Sequence, residues 1–124
     1  MEEKKILIID DEPDLVKMLS SRLESNGYKT ISASTGVEGL QKAKEEHPDL
    51  ILLDIMLPQL SGVTIALWLK ESEETKSIPI IVITVVEKDE LSLLFRRIEV
   101  SDYISKPFDV EELLCKIKNA IKKE

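Results

Sequence analysis

Apolar residues along the chain follow two alternating rhythms. Short aliphatic or β-branched runs stand at KILII (5–9), KTISA (29–33), LILL (50–53), IPIIVI (78–83) and DYIS (102–105), and predict strands. Between them, apolar residues recur every three or four positions, the spacing of one helical face. Leu15, Val16, Leu19 and Leu23 form such a stripe over 13–26, with Pro13 tolerated in the first turn and Gly27 suited to a left-handed cap. A second helix follows Ser34 and Thr35 as cap candidates, uses Val37, Leu40 and Ala43, and ends at His47 before Pro48. A third begins after Ser61, a fourth lies within 88–97, and the last opens with the capping-box pattern Asp109 to Glu112.

Strand and helix therefore alternate through five βα units. Near-continuous apolar strands between helices predict a parallel sheet covered on both faces, a doubly wound α/β domain. In such folds ligands gather beyond the carboxyl ends of the strands. The chain's 124 residues suit one domain, 1–124, and no apolar run approaches the roughly 20 residues that span a bilayer. The N-terminal MEEKK has no secretory apolar core, and a lone Cys115 offers no disulfide framework, so a cytoplasmic location is expected. Cys115 is expected to serve buried packing on the last helix. A formal charge of −7 repels phosphate backbones, which argues against direct nucleic-acid binding.

One position breaks the apolar pattern. ILLDIMLP runs through three aliphatic residues into Asp54, where an unpaired buried carboxylate would cost several kcal/mol. Other reactive groups fall at equivalent places: Asp10, Asp11 and Glu12 after the first strand, Thr84 after the fourth, and Lys106 with Pro107 after the fifth. Carboxylates crowded at one sheet edge repel unless a cation joins them. Asp10, Asp11 and Asp54 could supply oxygens to Mg²⁺, and Lys106 adds an ammonium. A divalent ion and an ammonium around a carboxylate suit phosphoryl transfer, with Asp54 as the nucleophile.

The segments LIIDDEPDL, LILLDIMLPQLSG, VIT at 82–84 and DYISKPF together resemble the receiver domain of bacterial two-component response regulators. The resemblance covers essentially the whole chain. It implies a flavodoxin-like (βα)5 fold with strand order 2-1-3-4-5. Asp10 and Asp11 match the family's metal-binding acidic pair, Asp54 the phosphoacceptor, Thr84 the switch hydroxyl, Tyr103 the switch aromatic and Lys106 the phosphoryl-contacting lysine. Met56 would offer its backbone carbonyl to Mg²⁺, and a cis bond is implied between Lys106 and Pro107. The implied function is acceptance of a phosphoryl group from a sensor histidine kinase or phosphotransfer protein onto Asp54. Its output would be a switched surface for a downstream protein target, an effector domain or a phosphorylation-linked dimer, without substrate turnover beyond the chain's own aspartate.

The chain also departs from the family pattern. Glu99 and Val100 replace the usual Gly-Ala before the fifth strand, so the fourth helix is expected to end differently. Met56 and Val86, both apolar, flank the expected path of an attacking water. Leu67 and Trp68 stand on the third helix where receivers commonly carry charged residues, and are read as a contact patch. His47 is read as a helix cap, since the family's donor histidine lies on the kinase. Three other readings compete. An aspartyl-phosphate-forming phosphatase of the haloacid dehalogenase type needs an acid where this chain has Met56, and a flavodoxin-like carrier's phosphate loop would not tolerate DDE. A receiver-like scaffold that is never phosphorylated is disfavoured because the acceptor-site residues are all present.

Overall fold

Strands covered on both faces must be apolar on both, and the central ones here are. The computed structural model, which describes residues 3–58, 60–85 and 98–122, contains strands β1 (Lys5–Ile9), β2 (Lys29–Ala33), β3 (Leu50–Leu53), β4 (Ile80–Thr84) and β5 (Asp102–Ser105). Every residue of β3 and β4, and all of β1 but Lys5, is buried. All four pairings are parallel and the order is β2-β1-β3-β4-β5. This is the doubly wound, flavodoxin-like α/β fold, with β1 and β3 at its centre.

Side chains alternate across a strand, and here that alternation divides the core in two. Leu7, Ile9, Ile51, Leu53, Ile80 and Val82 face one layer, which holds Ala43, Ile65, Ala66 and Leu69. Ile6, Ile8, Leu50, Leu52, Ile81 and Ile83 face the other, with Leu19, Leu23, Leu113, Ile117 and Ala120. The first layer is carried by α2 (Gly36–Glu46) and α3 (Gly62–Glu71), the second by α1 (Pro13–Ser25) and α4 (Val110–Lys122). Each fully buried Leu or Ile contributes about 1.5–3 kcal/mol, so the two layers dominate stability.

The helix ends follow local chemistry. Pro13 sits in the first turn of α1, and Gly27 just beyond it takes φ 89°, where a side chain would be strained. Thr35 caps α2 by accepting from the Glu38 N–H at 3.1 Å, while the Glu38 carboxylate accepts from Ser34 N–H at 2.9 Å. That backbone bond is the main cause holding the Glu38 carboxyl below its ordinary value. His47 closes α2 in the left-handed conformation at φ 47°, as a cap. Ser61 caps α3 through Val63 N–H, and the Asp109 side chain accepts from Glu111 N–H at the start of α4.

Three expectations need correction. β4 begins at Ile80, because proline at 79 has no N–H for the ladder, and includes Thr84, which pairs with Ser105 of β5. Val37 is 59% exposed, and α2 instead buries Gly36, Gly39 and Ala43. A Cβ at Gly39 would lie 2.5 Å from Ile9 Cδ1, so with any other residue the helix approaches β1 this closely only if the Ile9 side chain is displaced. Cys115 is exposed, not packed. The buried stripe of α4 is Leu113, Ile117 and Ala120, and at 100° per residue position 115 turns away from it. The expected helix within 88–97 lies outside the described residues, as does Val86. Among the described residues, no helix is long and apolar enough to cross a membrane.

Candidate functional site

The register of β1 on β3 pairs Ile9 with Leu53, so the residues that follow, Asp10 and Asp54, emerge side by side. Backbone bonds fix both: Asp10 N–H donates to Ala33 O at 3.1 Å, and Asp54 N–H to Ile9 O at 3.0 Å. Lys106 follows β5, two strands from β3, and its N–H donates to Thr84 O at 2.8 Å. Strands lie roughly 4.8 Å apart, so β5 stands about 10 Å from β3, a gap that the lysine stem and the Asp54 side chain close from both sides. The Lys106 ammonium donates to Asp10 Oδ2 at 3.0 Å, Glu12 Oε1 at 2.7 Å and Asp54 Oδ2 at 3.0 Å. The Lys106–Pro107 peptide is cis.

Two of these carboxylates are nearly dry, with Asp10 3% and Asp54 5% exposed. Burial, the largest influence, raises the Asp10 carboxyl above its ordinary value, against the lowering effect of Glu12 N–H and Lys106. Burial pulls the Lys106 ammonium down, but the hydrogen bonds it donates to Glu12, Asp10 and Asp54 outweigh that and hold the lysine above its ordinary value. One ammonium faces three carboxylates, so the site keeps an excess of negative charge. Carboxylate oxygens of Asp10, Glu12 and Asp54 all lie within 4.8 Å of one another. Hard, crowded oxygen donors of this kind suit a cation such as Mg²⁺.

Loop geometry below Asp54 is equally constrained. Met56 N–H donates to Asp54 Oδ1 at 2.9 Å, and Gly62 N–H to Ile55 O at 3.0 Å. A Cβ on Gly62 would lie 2.6 Å from Asp54 O and collide with the Ile55 backbone, so only glycine lets α3 start this close to the Asp54 loop.

Residues 6–118 match the family described as the response regulator receiver domain. The chain belongs to that family. It is 38% identical over 120 residues to the alkaline phosphatase synthesis transcriptional regulatory protein PhoP of Bacillus subtilis, covering 97% of this chain. This receiver spans only about half of that relative's length, 49%. It is likewise 38% identical over 116 residues to the polar-differentiation response regulator DivK of Brucella ovis, covering 94% of each. Among solved structures, the receiver domain of sensor histidine kinase PA1611 from Pseudomonas aeruginosa superposes with a TM-score of 0.86 at 27% identity, over 98% of this chain and 99% of that one. That structure carries a magnesium ion coordinated in its active-site cleft.

The receiver brings together Asp10, Asp54 and Lys106, with Thr84 fully buried at the neighbouring strand end. Asp11 is exposed and stands outside the cluster of carboxylates. Tyr103, on β5 opposite Val82, is half-buried against the layer of α2 and α3. Leu67 and Trp68 are apart from the site and exposed, at 42% and 43%. Sequence reasoning noted Glu12 at the strand end without giving it a role. No local signal assigns it one, since its partner lies 94 residues away in the chain.

Proposed function

We propose that Asp54 accepts a phosphoryl group from a histidine kinase or phosphotransfer protein, and that the resulting change at Thr84 and Tyr103 alters a protein-binding surface. The observation that carries this reading is the 3.0 Å contact between Lys106 Nζ and Asp54 Oδ2, in which a nearly buried carboxylate is paired with a cation. An Asp54 oxygen attacks phosphorus as the donor's N–P bond breaks, and the electron pair returns to the donor imidazole. Lys106 stays beside the acceptor and neutralises charge on the transferred group. Its bonds to Asp10 and Asp54 orient it before the donor arrives. Water later attacks phosphorus and regenerates the carboxylate.

Asp10 and Asp54 would hold Mg²⁺, with Asp11 and the Met56 backbone carbonyl as further donors. The clustered carboxylate oxygens of Asp10, Glu12 and Asp54 suit such an ion, and a family neighbour carries one in its cleft. When bound, Mg²⁺ supplies charge neutralisation for the phosphoryl oxygens. The chain acts as a receiver domain over 1–124 whose only substrate is its own aspartate, in the cytoplasm with its kinase.

For the switch, a phosphoryl oxygen on Asp54 draws the Thr84 hydroxyl toward the site, and the Tyr103 ring follows into the vacated space. Intact mass after treatment with acetyl phosphate and Mg²⁺ tests the acceptor reading: one phosphoryl group on the native chain and none on Asp54→Asn. Equal labelling of both refutes it. Amide shifts should change more around Thr84 and Tyr103 than in α2.

A further inference from the structure

Glu12 is the N-cap residue of α1, yet its side chain makes no capping hydrogen bond. Residues favoured at that position have short side chains that reach back to first-turn N–H groups. The Glu12 carboxylate instead accepts from Lys106 Nζ at 2.7 Å, the shortest of the three bonds this ammonium makes. Meanwhile the Glu12 N–H donates to Asp10 Oδ1 at 3.0 Å. Its backbone is thus fastened to one carboxylate of the site while its side chain holds the site's cation.

An ammonium has three protons to donate, and Lys106 gives them to Asp10, Glu12 and Asp54. Phosphorylation removes the Asp54 anion and places the phosphoryl oxygens beyond it, so Lys106 must shift outward to meet them and draws on its bonds to Asp10 and Glu12. The Asp10 side chain is 3% exposed, so losing the cation would leave a dry charge uncompensated. The Glu12 side chain is 59% exposed and can return to water. Release of Glu12 is therefore the least costly route.

We propose that Glu12 is a latch on Lys106, a positioning residue that holds the ammonium in the unmodified receiver and surrenders it when Asp54 is phosphorylated. This rests on the phosphoacceptor reading of Asp54. The latch stabilises only the unmodified state, so it slows phosphoryl gain and leaves phosphoryl loss alone. An exposed ion pair carries only about a two- to fivefold effect. Removing one negative charge near the site would also speed an anionic donor, but that long-range effect fades with salt, whereas a direct contact is screened less.

Rates of phosphoryl gain and loss are measured on the full chain with acetyl phosphate and Mg²⁺, for the native protein, Glu12→Ala and Glu12→Gln, at low and high ionic strength. Because the Glu12 side chain caps nothing, Glu12→Ala should fold and lose only the small stability of one exposed ion pair. Glu12→Ala should gain the phosphoryl group about two- to fivefold faster at both ionic strengths and lose it at the native rate. Glu12→Gln, which keeps a neutral acceptor oxygen, should fall between. An unchanged gain, an acceleration that vanishes at high salt, or equal acceleration of gain and loss overturns the latch. A native chain that gains no phosphoryl group fails differently: it removes the acceptor reading, and the latch with it.

Discussion

Lys106 Nζ lies 3.0 Å from Asp54 Oδ2, although 52 residues separate the two in the chain. The ammonium is the cation that makes a carboxylate tolerable at the end of a wholly buried strand, and it reaches Asp54 only because β5 and β3 lie in one parallel sheet.

Replacing Lys106 with Met should therefore destabilise the metal-free chain by on the order of 3 kcal/mol, since two nearly buried carboxylates lose their shared cation. Mg²⁺ should restore part of the loss. Chemical denaturation of native and Lys106→Met chains, with and without Mg²⁺, measures both. A metal-free loss below that of an ordinary surface substitution would disprove the stabilising role.

Mg²⁺ should raise the melting temperature of the native chain, since a ligand at 100 times its Kd adds about 2.7 kcal/mol. The increment should depend on pH through Asp10. Its carboxyl is raised above 3.8, chiefly by burial, so the native chain binds this proton more readily than the unfolded chain. Ionised Asp10 therefore costs stability above its folded pKa, and the cost disappears as pH falls below the unfolded value. Mg²⁺ and this proton compete, so the Mg²⁺ increment should shrink as pH drops through the raised Asp10 range. Asp10→Asn should melt higher than the native chain without metal at neutral pH and respond less to Mg²⁺. Thermal melts across pH that show the same increment throughout would contradict this.

Gly62→Ala should cost more than Gly39→Ala. At 62 the new methyl meets backbone of Asp54 and Ile55, whereas at 39 it meets the end of the Ile9 side chain, which can change rotamer. Overpacking typically costs about 1–3 kcal/mol, and Gly62→Ala should lie at the upper end and also slow phosphoryl gain at the displaced Asp54 loop. Denaturation midpoints of the two variants in parallel decide the order.

Trp68 emission should be solvent-like and open to a soluble quencher in the dilute chain, since the residue is 43% exposed beside exposed Leu67. The chain has one Trp, so the signal is unambiguous. Blue-shifted emission that the quencher cannot reach would place the ring inside the monomer and remove Leu67 and Trp68 as a contact patch.

Much of the site was legible one residue at a time. Asp54 drew notice as a charge in a run built for burial, and Asp10, Thr84 and Lys106 as reactive groups at strand ends. The caps at Thr35, His47 and Asp109 were equally readable, because capping depends on atoms within a few residues. Glu12 escaped because its partner lies 94 residues away, and no local pattern distinguishes an N-cap glutamate facing water from one facing a lysine. Val37 and Cys115 misled for a related reason. Residue type shows that an apolar side chain prefers burial, but the close approach of Gly39 to Ile9 sets the rotation of α2, and the position of Leu113 and Ile117 against the sheet sets that of α4.

The sequence by itself determined the alternation of buried strands and amphipathic helices, most element ends, and the two-faced sheet that alternation demands, because periodicity and capping act over two to four residues. The order of the strands followed from family resemblance, not from periodicity. Only the tertiary structure decided that Lys106 bridges Asp10, Glu12 and Asp54 while neighbouring Asp11 stays in solvent. Hydrogen bonds among residues 52 to 96 positions apart depend on register and strand order, which the packing of both layers against the sheet sets together.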